Sequence, residues 1–297
     1  MNHIKDQIRC GAAYRLGLTG KGIGVAVLDT GIFLHRDFDS RVTGFADMVN
    51  GKTFAYDDCG HGTHICGIIG GSGRMSGGRY SGIAPGCDLV MVKVLDRKGN
   101  GYSSDVLAGI SWILERKEKL GIRILNISVG ACSKRGTSEN SALVKGVNRA
   151  WDAGLVVVVA AGNNGPRTMS ITTPGISRKV ITVGCSDDDR EVLVGGNRMV
   201  DYSGRGPTAA CICKPDLVAP GCSVVSCAGR ADKYTIKSGT SMSTPIVSGA
   251  TALLLERYPD MTNKDVKLKL RESCRDIGLP RNQQGWGLLD VEKLVSK

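Results

Sequence analysis

The sequence contains no apolar run that approaches the roughly 18 residues needed to cross a bilayer. Its first six residues, Met1 to Asp6, also lack the apolar core of a secretory signal peptide. Internal repeats, low-complexity tracts and linker-like segments are missing too, and the 41 glycines are spread along all 297 residues. These absences argue against a membrane protein or a fibre. They predict one soluble globular domain over residues 1–297, with no signal peptide or recognisable prodomain.

A regular disulfide framework is absent as well. The eleven cysteines are odd in number and follow no repeating spacing, and a chain of this length can fold without covalent staples. Cys211 and Cys213 resemble half of a metal clip, but no second Cys pair or His pair completes four ligands. We therefore predict free thiols, no cysteine-bound metal and a reducing, cytoplasmic location. A trimmed catalytic domain of a secreted precursor is the alternative.

Acidic residues are too few to balance the basic ones. The 39 Lys and Arg against 28 Asp and Glu give a formal net charge of +11, an excess that can mark a protein with an anionic partner. The basic residues mostly alternate with acids, however, as between Glu115 and Lys119, which is typical of a solvated surface. The sequence thus predicts neither a nucleic-acid partner nor a membrane surface, and it carries no signal for an oligomeric state.

Short β-branched segments recur along the chain, each followed by a turn or a helical pattern. Their near-continuous apolarity is typical of strands buried on both faces, as in a parallel sheet flanked by helices. Ser103 or Ser104 is positioned to cap an amphipathic helix, and a second helix is predicted from about Ser241 to Tyr258, before Pro259. The alternation predicts an open α/β fold. The predicted strands are Val25 to Leu28, Leu89 to Leu95, Ile122 to Val129, Leu155 to Ala160 and Val180 to Val183.

Polar residues that follow buried strands are the first candidates for function, because such sheets bind ligands at the carboxyl ends of their strands. Asp29 ends the first strand and needs a hydrogen-bonding or positive partner there. His61 lies between two glycines, and Ser241 begins the long helix; alone, each would be a capping or packing residue. Together they form a set for acyl transfer, in which His61 activates Ser241 and Asp29 orients the imidazole. Asn163 adds an amide for the oxyanion.

Four segments carry a resemblance to a known family: Asp29 to Gly31, Gly60 to His64, Ala161 to Asn163 and Gly239 to Pro245. In that order they resemble the Asp, His, oxyanion Asn and Ser signatures of the subtilases, the subtilisin-like serine proteases of family S8. The resemblance runs from about Thr19 to about Leu294, and the loop from Gly73 to Gly86 is similar to that of the intracellular, AprX-like bacterial branch. It implies an α/β three-layer sandwich with a mainly parallel sheet of about seven strands and helices on both faces. It also implies a serine endopeptidase that forms an acyl-enzyme intermediate.

The resemblance implies a substrate cleft in addition. Two segments are similar to those that pair with the backbone of a protein or peptide substrate bound in extended form. Glycine after a strand more usually marks a turn, which is the alternative for both segments. The matching first pocket has no carboxylate, so we expect an apolar side chain before the cut. The cleft residues are Gly99, Asn100 and Gly101, facing Ser128, Val129 and Gly130, with Ala160, Ala161, Gly162 and Thr172 in the pocket.

No cofactor is expected for the chemistry. Many subtilases bind structural calcium through an aspartate that Asp37 matches, but the loop from Gly70 to Arg79 has no carboxylate or amide side chain and carries two arginines. We therefore predict that this calcium site is absent. Ser243 and Ile246 depart from the family pattern without removing a catalytic group. Two alternatives stay open: a degenerate subtilase that binds peptides without cutting, and an esterase or amidase with the same acyl chemistry.

Overall fold

The structure, a computed structural model, describes residues 1–130 and 139–296. Most of its strands are short and apolar, and four of them are completely buried. The strands are β1 (Gly24–Asp29), β2 (Val42–Asp47), β3 (Asp88–Lys93), β4 (Ile122–Ile127), β5 (Val156–Ala160), β6 (Ile181–Cys185), β7 (Val192–Val194), β8 (Asn197–Met199), β9 (Leu217–Ala219), β10 (Val224–Cys227) and β11 (Tyr234–Lys237).

Seven of these strands form one sheet in the order β2-β3-β1-β4-β5-β6-β9. Every neighbouring pair in it is parallel, and β7–β8 and β10–β11 form two separate antiparallel hairpins. The prediction of an α/β fold with a parallel sheet of about seven strands is therefore confirmed. All five strands predicted from the sequence are present, with ends that differ by at most two residues.

The helices supply the remaining layers. Within the described residues α3 packs against α6, and both contact the central strands, while α4 and α5 pack against each other and against β1 and β5. A 3₁₀ turn, Arg74–Ser76, lies in the glycine-rich loop after α3. The helices are α1 (Asn2–Gln7), α2 (Gly11–Arg15), α3 (His61–Gly70), α4 (Ser103–Arg116), α5 (Ala142–Asp152), α6 (Thr240–Arg257), α7 (Asn263–Ser273), α8 (Arg281–Gln284) and α9 (Val291–Val295).

The two predicted helices are present, but one of their ends is formed differently. The long helix α6 begins at Thr240 and ends at Arg257, one residue before each predicted limit. In α4 the N-cap residue is Tyr102, and no side chain caps the helix; Ser103 is its first residue, and the Ser104 hydroxyl donates to Asp105 instead. The predicted serine cap is therefore wrong. None of the described helices combines the length and apolarity that a membrane span requires.

The sheet order determines where the candidate residues meet. Strands β1, β4 and β5 are consecutive in the sheet, and parallel strands end at the same edge. Asp29 ends β1, Ser128 follows the last residue of β4, and Ala161 follows the last residue of β5. The amino ends of α3 and α6 carry His61 and Ser241.

Candidate active site

Asp29 and His61 form a close pair at this edge of the sheet. The Asp29 side chain is fully buried, and both its oxygens lie within hydrogen-bonding distance of His61 Nδ1, Oδ1 at 2.7 Å and Oδ2 at 2.9 Å. The Thr30 backbone N–H also donates to Oδ1, at 2.8 Å. These bonds supply the partners that a buried carboxylate needs. They make Nδ1 the donor nitrogen of His61 and leave Nε2 as the acceptor on a ring that is 22% exposed.

The loop before His61 is held by a second aspartate, which the sequence analysis did not single out. Gly60 has the left-handed backbone, φ 83°, that turns the chain into α3. Asp57 accepts hydrogen bonds from the backbone N–H groups of Gly60 and Thr63, at 2.7 and 2.9 Å. The Thr30 hydroxyl donates to Asp57 and accepts from the Gly62 N–H, each at 2.9 Å. Thr30, which follows Asp29, thus holds the backbone of Gly62, which follows His61.

Lys93 is a further residue that the sequence analysis missed. Its side chain is fully buried at the end of β3, where it is in register with Asp29. Its ammonium donates to the Thr30 carbonyl at 2.6 Å, the Leu95 carbonyl at 2.7 Å and the Asp58 carboxylate at 2.8 Å. A buried lysine is stable only with such partners. The sequence signal that could have identified these interactions is a lysine at the end of an otherwise apolar strand.

Ser241 lies close to the pair but is directed elsewhere. It is the second residue of α6 and lies two residues after the N-cap Gly239, whose φ of 139° favours glycine. Its hydroxyl donates to the Ser128 carbonyl oxygen at 2.7 Å. Because a hydroxyl carries one proton, Ser241 does not donate to His61 at the same time. Both side chains nevertheless line the same cavity, of about 440 Å³.

Asn163 lies across that cavity and is oriented by Thr240. Its Oδ1 accepts from the backbone N–H and from the hydroxyl of Thr240, both at 3.0 Å. The Thr240 hydroxyl in turn accepts from the Gly162 N–H at 3.2 Å. Because the amide oxygen is occupied, Nδ2 is the donor left for the cavity, which Asn163 lines together with Ser241. Thr240 is buried, and only its position beside Ser241 could have indicated this role.

Nine of the ten predicted cleft residues border cavities at this edge. Thr172 packs between the two pocket walls, because a β-carbon at Gly130 or Gly162 would overlap its side chain. Ala161 lies behind the wall instead, fully buried, and its carbonyl accepts from the Thr172 N–H at 2.9 Å. Asn100 and Gly101 border an adjoining cavity of about 240 Å³. Gly99, Ser128, Val129, Gly130, Ala160, Gly162 and Thr172 line the central cavity.

His64, one helical turn after His61, is a buried neutral histidine. Its Nε2 lies 3.1 Å from the Val224 carbonyl and 3.2 Å from the Thr235 carbonyl, so it donates to the β10–β11 hairpin. Burial, reinforced by the positive charge of Lys237, lowers the pKa of His64 to about 3. This ring therefore anchors the hairpin that precedes Ser241 and takes no proton near neutral pH.

Asp37, which matches the calcium aspartate of the family, has other partners. Its Oδ1 accepts from the Met75 N–H at 2.9 Å, and its Oδ2 accepts from the Tyr234 hydroxyl at 2.6 Å. Burial and this hydrogen bond raise the pKa of Tyr234, so that it keeps its proton. Ca²⁺ requires six to eight oxygen ligands, whereas hydrogen-bond donors face this carboxylate. The residues present do not fit a calcium ion.

Comparison with known proteins agrees with the fold. Residues 20–287 match the Subtilase family, peptidase S8. The chain is 42% identical to the serine protease AprX of Bacillus subtilis (strain 168) over 91% of its own length, and it spans 64% of the length of that relative. It is 34% identical to subtilisin BL of Lederbergia lenta, with 97% of this chain and 96% of that protein covered. The solved structure of Sphericase superposes with a TM-score of 0.78 at 30% identity, covering 92% of this chain and 93% of that one.

The chain belongs to the subtilase family of serine peptidases. The resemblance inferred from four short motifs is therefore confirmed, and so is the fold that it implied. Subtilases use no cofactor for their chemistry.

Proposed function

We propose that this chain is a serine endopeptidase in which Asp29, His61 and Ser241 form the catalytic triad and Asn163 supplies the side-chain donor of the oxyanion hole. The observation that carries the proposal is the pairing of buried Asp29 with His61 Nδ1 at 2.7 and 2.9 Å, at the wall of a cavity that Ser241 and Asn163 also line. A carboxylate, an imidazole, a hydroxyl and an amide in this relation are the groups that acyl transfer requires.

The proposed reaction begins with a rotation of the Ser241 side chain. A substrate N–H that pairs with the Ser128 carbonyl displaces the hydroxyl from that oxygen, and Oγ turns toward His61 Nε2. Oγ then attacks the scissile carbonyl carbon while Nε2 accepts its proton. Asn163 Nδ2 and the Ser241 N–H stabilise the oxyanion. The imidazolium, held by Asp29, gives its proton to the leaving amine as the C–N bond breaks. Water then attacks the acyl-enzyme while His61 accepts its proton, and His61 returns that proton to Ser241 Oγ as the acid product is released.

The proposed substrates are proteins or peptides in extended form. Their backbone lies between the segments 99–101 and 128–130, and an apolar side chain precedes the cut, because the pocket floor at Thr172 has no charge to offer. No calcium is assigned to Asp37. The odd number and irregular spacing of the cysteines support a reducing compartment, and hence the cytoplasm, as the place where the protein acts.

The experiment that tests this function is incubation with a denatured protein, followed by mass spectrometry of the fragments. We expect cleavage at internal peptide bonds, complete loss of cleavage in Ser241→Ala, and retained cleavage in Ser243→Ala. Ser243 is the matched control because it also loses a hydroxyl from α6 but is buried, away from the cavity. Hydrolysis of small esters without any protein cleavage would favour the esterase alternative. Undiminished turnover in Ser241→Ala would refute the triad.

A further inference from the structure

Three cavities lie end to end along the candidate cleft. The first, about 240 Å³, shares Leu95 with the central cavity of about 440 Å³, which His61 and Ser241 line. The third, about 480 Å³, shares Cys59 and Lys237 with the central one. Because neighbouring cavities share lining residues, they form one continuous groove with the candidate triad at its centre.

The proposed chemistry fixes the direction in which a substrate runs through this groove. The scissile carbonyl oxygen faces Asn163, and the leaving nitrogen faces His61, which gives it a proton. Gly99 and Gly130, from the segments proposed to pair with the acyl part, border the first cavity. The third cavity, reached past Cys59 from the central one, therefore receives the residues that follow the cut.

The central and third cavities are rich in unpaired positive charge. Lys237 lines the central cavity together with Lys98, which adjoins the acyl-side segment 99–101, and no carboxylate is among the described lining residues of this cavity. The third cavity adds Arg230 and Lys233 to Lys237. None of these four cations forms an ion pair with a carboxylate in the described parts of the chain. They are available to an acidic ligand.

Two acids also border the third cavity, but both are already engaged. The Asp57 carboxylate accepts hydrogen bonds from the Thr30 hydroxyl, from the Cys59, Gly60 and Thr63 N–H groups and from the Thr63 hydroxyl. Asp58 is bound by the buried ammonium of Lys93 at 2.8 Å. The hydrogen bonds occupy the oxygens of Asp57 without neutralising its charge, whereas the Lys93 ammonium offsets the charge of Asp58. Arg230, Lys233 and Lys237 outweigh the single uncompensated carboxylate, so the balance left for a substrate is positive.

We infer that Lys237 selects an acidic side chain immediately after the scissile bond, so that the preferred substrates of the proposed peptidase are acidic on the leaving-group side. The inference rests on the proposed function. Lys237 is the cation common to the central and third cavities, and it ends β11, four residues before Ser241. Its backbone position is fixed because it pairs with Val224 across the hairpin.

The test uses three internally quenched peptides that differ only in the residue after one cleavage site, which is Glu, Gln or Lys. The site is first located in the Gln peptide by mass spectrometry. For a partly exposed charge pair we expect kcat/KM about threefold higher for Glu than for Gln at low salt, and a further loss for Lys. The preference should weaken at about 0.5 M salt, which screens such pairs.

Three variants distinguish a local effect of Lys237 on selectivity from an effect of the protein's net charge. In Lys237→Gln the ratio of Glu to Gln rates should fall toward one, and in Lys237→Glu the order should invert to favour Lys. Lys21→Gln is the matched control: it removes one exposed positive charge before β1, at the opposite end of the sheet from Asp29, and should keep the unchanged protein's ratio.

Two outcomes overturn the inference in different ways. Equal rates for the Glu and Gln peptides in the unchanged protein, or a ratio that survives both Lys237 substitutions, would refute the role of Lys237 while leaving the proposed peptidase intact. No hydrolysis of the Gln peptide and no cleavage of denatured protein would refute the proposed function, and the inference with it. Inversion by Lys237→Glu, with the ratio kept in Lys21→Gln, would establish the selectivity.

Discussion

Replacing His64 by glutamine should make the protein more tolerant of acid. His64 is fully buried, and its Nε2–H donates to the Val224 and Thr235 carbonyls. A glutamine at this position places an amide N–H near Nε2 and can keep the bonds to the hairpin, but it has no group that titrates. The substitution therefore removes the proton uptake and preserves most of the packing.

The magnitude follows from the pKa of His64, which burial lowers to about 3, against about 6.5 for an ordinary imidazole in the unfolded chain. Between these values the unfolded state binds more protons than the folded state, so the free energy of unfolding falls as the pH falls. The contribution is complete above about pH 6.5 and is lost at about 1.4 kcal/mol per pH unit below it. The loss amounts to about 2 kcal/mol at pH 5 and at most about 5 kcal/mol near pH 3.

The assay is urea unfolding followed by tryptophan fluorescence at pH 7, 6 and 5, with each protein also carrying Ser241→Ala to prevent self-digestion. The difference in unfolding free energy between parent and His64→Gln should shift by about 2 kcal/mol in favour of the variant from pH 7 to pH 5. His3→Gln is the matched control, because His3 is exposed and its removal should give a much smaller shift. A difference that stays constant within about 0.5 kcal/mol would show that His64 does not resist protonation in the folded state.

Two other predictions concern the oxyanion donor and calcium. Asn163→Ala should lower kcat by roughly 10²–10³ with a smaller change in KM, because Nδ2 acts on the transition state; a loss confined to KM would make Asn163 a substrate-binding residue. A chelator should change the melting temperature little, because hydrogen-bond donors occupy both oxygens of Asp37. A decrease of about 5 °C or more on chelation would mean that calcium binds after all.

The parts of the fold that could be predicted are those with a continuous apolar signal. β1, β3, β4, β5 and β6 were predicted because burial on both faces requires such runs. β2 is only partly buried and includes Gly44 and Asp47, so its sequence has no clear strand pattern. β9 has three residues, too few for a pattern, and belongs to the sheet because it pairs with β6.

The residues of the candidate site also divide into those that the sequence could predict and those that it could not. Asp29, His61, Ser241 and Asn163 could be proposed because each lies in a short motif of distinctive composition. Lys93 and Thr240 act through contacts between segments distant in sequence, which the sheet order and the packing of α6 on β5 bring together. The hydrogen bond from the Ser241 hydroxyl to the Ser128 carbonyl depends on the rotamer of the Ser241 side chain. No pattern of residue types in the sequence determines a rotamer.

The hydrogen bonds of Thr30 and Thr240 divide the candidate site into two halves. Thr30 joins Asp29 to the loop of His61, and Thr240 joins Ser241 to Asn163. Because these hydrogen bonds lie within each half, a small movement of α3 against α6 leaves the geometry inside each half unchanged. It alters the distance between Ser241 and His61, which belong to different halves. Substitutions between these helices should therefore slow proton transfer while oxyanion binding persists. A variant loosened there would still bind a transition-state analogue through its oxyanion, yet turn over slowly, and cooling or a viscous solvent would affect its rate more than its affinity.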